Sequence, residues 1–247
     1  MENLFYKWLT GDLGQVGDFT YKAIHIYSLV GVCCVLALAL VLAARWRKNE
    51  KKGRGLILAI AWFHLGFEVL WRIIYLMVMN ASWKELWPLY PCNLGGVLLP
   101  VIALGNWKKG KKLFYLFGLV GALLTFGYPD GIFCRDAMSF PILKSVLQHT
   151  GLLMLPLVEM VLGTYTTDIR DFGWVTGGCV IHCINSELVS RWLGMPGDYM
   201  FFRSGLPFVI PGVPQYITFS LFGLSVFALL LWLCGKVTSG RKASKIQ

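Results

Sequence analysis

Residues 23–44 have the sequence AIHIYSLVGVCCVLALALVLAA, which contains no Asp, Glu, Lys or Arg. As an α-helix this run would be roughly 33 Å long, enough to cross a hydrocarbon core of about 30 Å. The whole 247-residue chain is similarly apolar, with 56% hydrophobic residues, 15% charged residues and a mean hydropathy of +0.61. Such continuous apolar content is atypical of soluble domains. The sequence therefore predicts an all-α membrane protein.

Six further apolar runs predict membrane helices, which gives a bundle of seven transmembrane helices. The predicted spans lie near residues 23–44, 56–78, 91–106, 112–128, 141–164, 172–193 and 213–235. Residues 1–22 carry charges and lack a small-residue cleavage site after an apolar core, so we expect the first span to be an uncleaved anchor. Because no internal repeat or linker interrupts residues 1–247, we predict a single domain in the cell membrane.

The positions of lysine and arginine predict the orientation of the helices. These residues concentrate in the connections 45–54 and 107–112 and in the basic tail 236–247. Cytoplasmic loops are enriched in positive charge, so these three segments and the C-terminus are predicted to be cytoplasmic. Anionic lipid of the inner leaflet then explains the formal net charge of +10 without a nucleic-acid partner. The segments predicted to lie outside are the N-terminal residues 1–22 and the loops 79–90, 129–140 and 194–212.

One cysteine lies where a polar loop meets an apolar span, in the run Trp87-Pro88-Leu89-Tyr90-Pro91-Cys92-Asn93. Two prolines restrict the backbone before it, and a thiol near the membrane surface is positioned to meet a lipid ester. Two alternatives remain open from the sequence. Cysteine is also a small apolar residue that is common in buried positions. A disulfide between Cys92 and Cys134, both predicted at or outside the outer surface, would remove the reactive thiol.

Ionisable residues inside the predicted spans form a stripe. His64, Glu68 and Arg72 repeat at i, i+4 and i+8, so they share one helix face that must contact protein or water rather than lipid. On the fifth predicted span, His149 lies seven residues before Pro156, and a proline within a helix opens room beside it. Glu159 lies nearer the cytoplasm.

Depth within the membrane suggests how these residues are arranged. At 1.5 Å per residue, His149 lies roughly 10 Å below the outer surface, and Cys92 is shallower. The simplest arrangement is a polar cavity that opens to the outer leaflet, with Cys92 at its mouth and His149 beneath it. A buried network that only locks helices together is the alternative, especially for Glu68 with Arg72.

The sixth predicted span carries a second set of polar residues at three- and four-residue steps. They are Cys179, His182, Asn185, Ser186 and Ser190. A metal site at Cys179, His182 and Cys183 would need a further ligand that the sequence does not supply, so we predict no metal site and expect His182 to be a buried structural residue.

Several of these residues occur in short motifs, which are Glu68 with Trp71, residues 87–92, Gln148-His149-Thr150-Gly151, Asp198-Tyr199-Met200-Phe201 and the re-entry from Pro207 to Tyr216. These motifs and their order in the chain resemble the YwaF (TP0381-type) integral membrane family. That family is similar to the TMEM164 group, which shares a Pro-Cys at the head of a span and is regarded as a cysteine-dependent acyltransferase group acting on phospholipids. The chain departs from the bacterial pattern at Tyr90, Asn93 and Asp198.

The resemblance implies that Cys92 corresponds to the family cysteine and His149 to the family histidine. We therefore expect an acyltransferase in which His149 deprotonates Cys92 and the thiolate takes an acyl chain from a lipid as a thioester. Thioester exchange needs no cofactor or metal, and the expected partners are a phospholipid or other lipid acyl donor and acceptor.

Four residues are predicted to bind the substrate. Glu68 and Arg72 would hold the histidine or a glycerophosphate group, and Asn93 and Tyr199 would donate hydrogen bonds to the oxyanion. The alternative is a non-enzymatic transporter or lipid-binding protein that uses the same polar cavity. A transporter would also need polar residues that reach the cytoplasmic side, where Glu159 is the main candidate.

Overall fold

The computed structural model describes residues 3–129, 131–195, 197–200 and 210–243, and these residues fold almost entirely as helices. Helix α7 (Phe172–Cys183) continues through a π-helical segment, Ile184–Val189, into α8 (Ser190–Trp192), and a short 3-10 helix, Ile169–Asp171, precedes α7. The described ranges contain no strand, only an isolated bridge between Val16 and Arg135. The α-helices are α1 (Leu4–Thr10), α2 (Ala23–Trp46), α3 (Glu50–Met79), α4 (Pro91–Leu104), α5 (Lys108–Gly127), α6 (Phe140–Leu162), α7 (Phe172–Cys183), α8 (Ser190–Trp192) and α9 (Gln215–Ala243).

Within the described residues, five helices are long and apolar enough to cross a membrane, namely α2, α3, α5, α6 and α9. They coincide with five of the seven predicted spans. The span predicted at 91–106 is the 14-residue α4, about 21 Å long and shorter than a typical hydrocarbon core. The span predicted at 172–193 is the combination of α7, the π-helical segment and α8. The count of seven spans therefore stays a prediction. Residues 244–247 of the predicted basic tail lie outside the described residues.

Capping residues set the ends of the helices that carry the polar stripe. At the start of α3, the side chain of Asn49 accepts a hydrogen bond of 3.0 Å from the backbone N–H of Lys52. The same helix ends at Asn80, whose φ of 50° is left-handed. Helix α6 ends at Gly163 with a φ of 81°, a conformation that glycine adopts without strain.

The core forms where α6 contacts α2, α3, α4 and α5. Small residues let these helices approach closely, as is common in membrane bundles. A Cβ at Gly118 would lie 2.8 Å from a methyl group of Leu99, so Leu99 fills the space beside this glycine where α4 and α5 meet. Tyr115, Leu116 and Leu155 are completely buried in this core.

One end of the bundle is closed by contacts between the N-terminal segment and the loop after α5. The backbone N–H of Gly17 donates to the carbonyl of Cys134 at 3.0 Å, and that of Phe19 donates to the carbonyl of Phe133 at 2.9 Å. Arg135 also forms an ion pair with Asp12 at 3.0 Å. At the same end, Trp8 of α1 packs against Phe140 at the start of α6.

The opposite end is closed by buried charges. Glu159 is fully buried and accepts hydrogen bonds from Lys111, from the hydroxyl of Tyr115 at 2.7 Å and from the hydroxyl of Thr164 at 3.0 Å. Nearby, the guanidinium of Arg54 donates to the last carbonyls of α4, on Ala103 at 2.8 Å and Leu104 at 2.6 Å. These contacts satisfy carbonyl groups that a helix end leaves without partners.

Candidate functional site

Cys92 lies in the first turn of α4. Tyr90 is the N-cap residue, without a side-chain capping bond, and Pro91, the first helical residue, has no backbone N–H. The first helical N–H groups are therefore those of Cys92 and Asn93. The N-terminus of a helix carries partial positive charge, which favours the thiolate form of a cysteine.

The loop before Cys92 is held by the π-helical segment. Asn185 accepts a hydrogen bond of 2.8 Å from the indole N–H of Trp87 and donates one of 2.7 Å to the carbonyl of Pro88. The hydroxyl of Ser186 donates to the carbonyl of Leu89 at 2.7 Å. Short π-helical insertions are frequent at functional sites. Here the insertion fixes the direction in which the chain enters α4, and with it the position of Cys92.

Helix α6 contacts the same turn through Gln148 and Lys144. The amide nitrogen of Gln148 donates to the backbone carbonyl of Cys92 at 2.7 Å and to the side-chain oxygen of Asn93 at 3.1 Å. The ammonium of Lys144 donates to the same Asn93 oxygen at 2.9 Å and to the Gln148 side-chain oxygen at 2.6 Å. It also lies 5.3 Å from the centre of the Trp71 ring. Buried polar groups thus surround the first turn of α4.

Helix α3 completes the cluster with the predicted stripe. His64 and Glu68 are buried, which confirms that this face points inward, and the Arg72 side chain is 21% exposed. Arg72 forms an ion pair with the Glu68 carboxylate and donates a second hydrogen bond of 2.9 Å to the backbone carbonyl of Glu68. Within the described part of the chain, the other Glu68 carboxylate oxygen and both ring nitrogens of His64 have no hydrogen-bond partner.

Two glycines make room for these side chains. A Cβ at Gly96 of α4 would lie 2.6 Å from the amide nitrogen of Gln148 and 2.9 Å from the free Glu68 oxygen. A Cβ at Gly151 of α6 would lie 2.3 Å from the Nδ1 atom of His64. Since Gly96 is one helical turn beyond Cys92, Glu68 faces the same side of α4 as the thiol. The charges of Lys144 and Glu68 both act on that thiol.

His149 occupies a neighbouring face of α6. Its Nδ1 atom lies 2.8 Å from the backbone carbonyl of Ser145, and its ring packs edge-on against Phe126 at 6.0 Å. It lines a crevice too narrow to hold a water molecule, together with Phe126 of α5 and Ile132 and Phe133 of the following loop. Across the ranges that the structure describes, no hydrogen bond joins His149 to Cys92. Their pairing in catalysis stays a prediction.

The remaining predicted site residue, Tyr199, lies against the loop that leads to Cys92. Its ring contacts that of Tyr90 edge-on at 5.0 Å, and its hydroxyl donates to the carbonyl of Met195 at 3.1 Å. Two other parts of the motifs lie outside the described residues, namely Phe201 and the start of the re-entry at Pro207.

The other cysteines and His182 do not join this cluster. Cys92 and Cys134 are both free thiols, and Cys134 is exposed at the contact with the N-terminal segment. His182 is 1% exposed and stacks on Phe117 at 4.2 Å. Among the described residues, no group of three His, Cys, Asp or Glu side chains is arranged to hold a metal ion.

Four residues of the cluster had no role assigned from the sequence. They are Lys144, Gln148, Asn185 and Ser186. Lys144 carried a usable signal, since a lysine just inside the outer end of a predicted span runs against the positive-inside pattern. The hydrogen bonds of Gln148, Asn185 and Ser186 join residues that are far apart in the chain. The periodicity within one helix therefore does not reveal these contacts.

Five long apolar helices, a buried core of small and aliphatic residues and a polar cluster inside the bundle define a multi-pass membrane protein. The model of the TMEM164 family matches residues 20–235, which include the whole polar cluster. The chain belongs to the TMEM164 family. Neither a curated protein nor a solved structure gives a match. The finer resemblance to YwaF-type proteins stays a prediction.

Proposed function

We propose that this protein is a membrane acyltransferase that moves a fatty acyl chain between lipids through a thioester on Cys92. The observation that carries the proposal is the placement of the Cys92 thiol. It lies in the first turn of α4 at the edge of the apolar core, and the Cys92 carbonyl and the Asn93 side chain beside it are hydrogen-bonded to the buried Gln148 and Lys144. A thiol that only filled a core would need no such polar surroundings.

The reaction has two acyl-transfer steps. The Cys92 thiolate attacks the ester carbonyl of a donor lipid, the carbon–sulfur bond forms, and the ester carbon–oxygen bond breaks as the leaving oxygen takes up a proton. An acceptor hydroxyl then loses its proton and attacks the thioester, which restores the cysteine. The N–H groups at the start of α4, and the Asn93 amide, are the candidate donors to the oxyanion.

His149 is our proposed general base. The contact between its Nδ1 atom and the Ser145 carbonyl favours a proton on Nδ1, which leaves Nε2 free to accept one. Arg72 is partly exposed, and a guanidinium binds phosphate oxygens well through two parallel N–H groups. We therefore propose that Arg72, positioned by Glu68, holds the phosphate group of a phospholipid donor or acceptor.

We further propose that the site opens to the outer leaflet of a seven-span bundle whose N-terminus is outside and whose C-terminus is cytoplasmic. The support is the lysine and arginine distribution, together with the position of Cys92 at the end of the bundle opposite the basic connections 45–54 and 107–112.

The transport alternative is less well supported. It needs a polar path that continues to the other end of the bundle, where Glu159 was the candidate residue. Glu159 is instead enclosed by Lys111, Tyr115 and Thr164, with both carboxylate oxygens hydrogen-bonded. Such a saturated network is typical of a structural lock between helices.

Mass spectrometry of the purified protein tests the proposal. After incubation with vesicles of a phospholipid with isotope-labelled acyl chains, we expect an acyl mass on the peptide that contains Cys92. Cys92→Ala should lose the adduct, and Cys183→Ala, on half-buried Cys183 of α7, serves as the matched control. Acyl exchange that continues unchanged in Cys92→Ala would rule out the thioester and favour lipid binding or transport.

A further inference from the structure

Lys144 is a buried cation that forms no ion pair with any of the residues that the structure describes. It is 8% exposed, and its hydrogen bonds go to the uncharged amide oxygens of Asn93 and Gln148. In the part of the chain that the structure describes, no carboxylate lies within ion-pair distance of its ammonium group. A buried charge costs several kcal/mol unless something compensates it.

The surrounding charges do not balance. Glu68 is the acidic residue that acts on Lys144, but one of its oxygens is already paired with Arg72. With both cations and the carboxylate ionised, the three residues carry one net positive charge. The face of Trp71 compensates only part of it. The cluster therefore lacks one anion.

We infer that the missing anion is the thiolate of Cys92 and that Lys144 is the residue that stabilises it. Lys144 donates hydrogen bonds to the side chains of Asn93, the residue after Cys92, and of Gln148. Gln148 in turn donates to Asn93 and to the backbone carbonyl of Cys92, so α6 is fixed to the first turn of α4. This geometry adds the full charge of an ammonium to the partial charge of the α4 N-terminus. The inference rests on the proposed role of Cys92 and assigns Lys144 as a positioning residue for it.

Other titratable and charged groups face Cys92 from the elements packed around it, and any change in its pH profile has to be separated from theirs. Glu68 of α3 and Tyr90 of the loop interact with Cys92 itself, and the other groups act on its neighbours: Arg72 on Lys144, His64 on His149, and Asp198 and Tyr199 on Tyr90.

Alkylation by iodoacetamide tests the inference without any lipid. The thiolate displaces iodide, a carbon–sulfur bond forms, and the thiol proton passes to the buffer. Rates would be measured for each cysteine against pH by mass spectrometry on the full-length protein in detergent. The pH midpoint, unlike the limiting rate, does not depend on how accessible the thiol is. Exposed Cys134 provides an internal reference.

We expect the midpoint of Cys92 to lie below that of Cys134 in the unsubstituted protein. Lys144→Gln should raise the Cys92 midpoint by at least about one pH unit, which corresponds to an approximately tenfold slower reaction near neutral pH. Lys144→Arg keeps the charge and should keep most of the effect. The control is Lys112→Gln, since Lys112 pairs with Asp171 at the opposite end of the bundle. It should leave the midpoint unchanged.

A Cys92 midpoint that is not below that of Cys134, or that Lys144→Gln leaves unchanged, would overturn the inference. The first comparison uses only the unsubstituted protein, so it can overturn the inference even if Lys144→Gln does not fold. If Lys144→Gln leaves the Cys92 midpoint unchanged but no longer binds phospholipid vesicles, Lys144 binds the lipid headgroup instead. If the midpoints behave as expected but no acyl adduct forms, the proposed acyltransferase function fails and the role of Lys144 stands.

Discussion

Gln148 connects α6 to the backbone of Cys92, donating from its amide nitrogen to the carbonyl of that residue at 2.7 Å. The same side chain accepts a hydrogen bond from Lys144. One glutamine therefore fixes both the candidate nucleophile and the cation beside it. This arrangement makes Gln148 the residue whose loss should affect the site most without removing any charge.

Gln148→Leu should lower the acyl-transfer rate at least tenfold and destabilise the protein by about 1–3 kcal/mol, because it leaves buried polar groups without partners. The rate would be measured with labelled phospholipid and the stability by thermal unfolding in detergent. Thr150→Val is the matched control, since the Thr150 hydroxyl donates only to the carbonyl of Val146 within α6. A Gln148→Leu protein with full activity would show that the site does not depend on this contact.

Gly96→Ala should be destabilising, because its Cβ would lie 2.6 Å from the Gln148 amide nitrogen and force α4 away from α3 and α6. The expected loss is about 1–3 kcal/mol, as for overpacked cores. Gly121→Ala on α5 has open space around the new Cβ and should be neutral or stabilising by up to about 1 kcal/mol. Denaturant unfolding of both variants measures the difference, and equal stabilities would mean that the helices tolerate a wider separation.

Ser186→Ala should loosen the loop before Cys92, since the hydroxyl holds the carbonyl of Leu89. We expect a loss of about 1 kcal/mol in stability and faster hydrogen exchange at residues 87–91. Thr176→Val is the control on the same helix, because Thr176 bonds only to Phe172 in its own first turn. Exchange that is equally fast in both variants would argue against a role for the π-helical segment in holding the loop.

Lys111→Met should destabilise the protein by about 3–5 kcal/mol, because it leaves the carboxylate of Glu159 buried without its cation. The double variant Lys111→Met with Glu159→Leu should recover much of this loss. Thermal unfolding of the single and double variants measures the interaction. A double variant no more stable than Lys111→Met alone would mean that the pair is not a simple structural lock.

The orientation can be checked with a membrane-impermeant maleimide on intact cells. Lys84→Cys, in the loop before Cys92, should be labelled from outside. Lys52→Cys, in the basic connection 45–54, should be labelled only after permeabilisation. The labelling of the unsubstituted chain gives the background. Outside labelling of Lys52→Cys would reverse the proposed topology.

The sequence predicts the parts of this fold that depend on one helix at a time. Long apolar runs identify α2, α3, α5, α6 and α9, and the four-residue spacing of His64 and Glu68 identifies the buried face of α3. The contact between Lys144 and Asn93 joins positions 51 apart on two helices, and no periodicity within a helix encodes it. The same holds for the π-helical segment, since its three hydrogen bonds to the loop join residues 97 or 98 positions apart.

The contact between the N-terminal segment and the loop after α5 has a consequence for synthesis. Gln15 and Asp136 are hydrogen-bonded although they are 121 positions apart, and neighbouring residues of both segments pair in the same way. Residues 15–19 leave the ribosome early, but these partners exist only once α5 and the residues after it have been made. That end of the bundle is therefore completed late, and a nascent chain that stalls before residue 133 leaves residues 15–19 without their backbone partners.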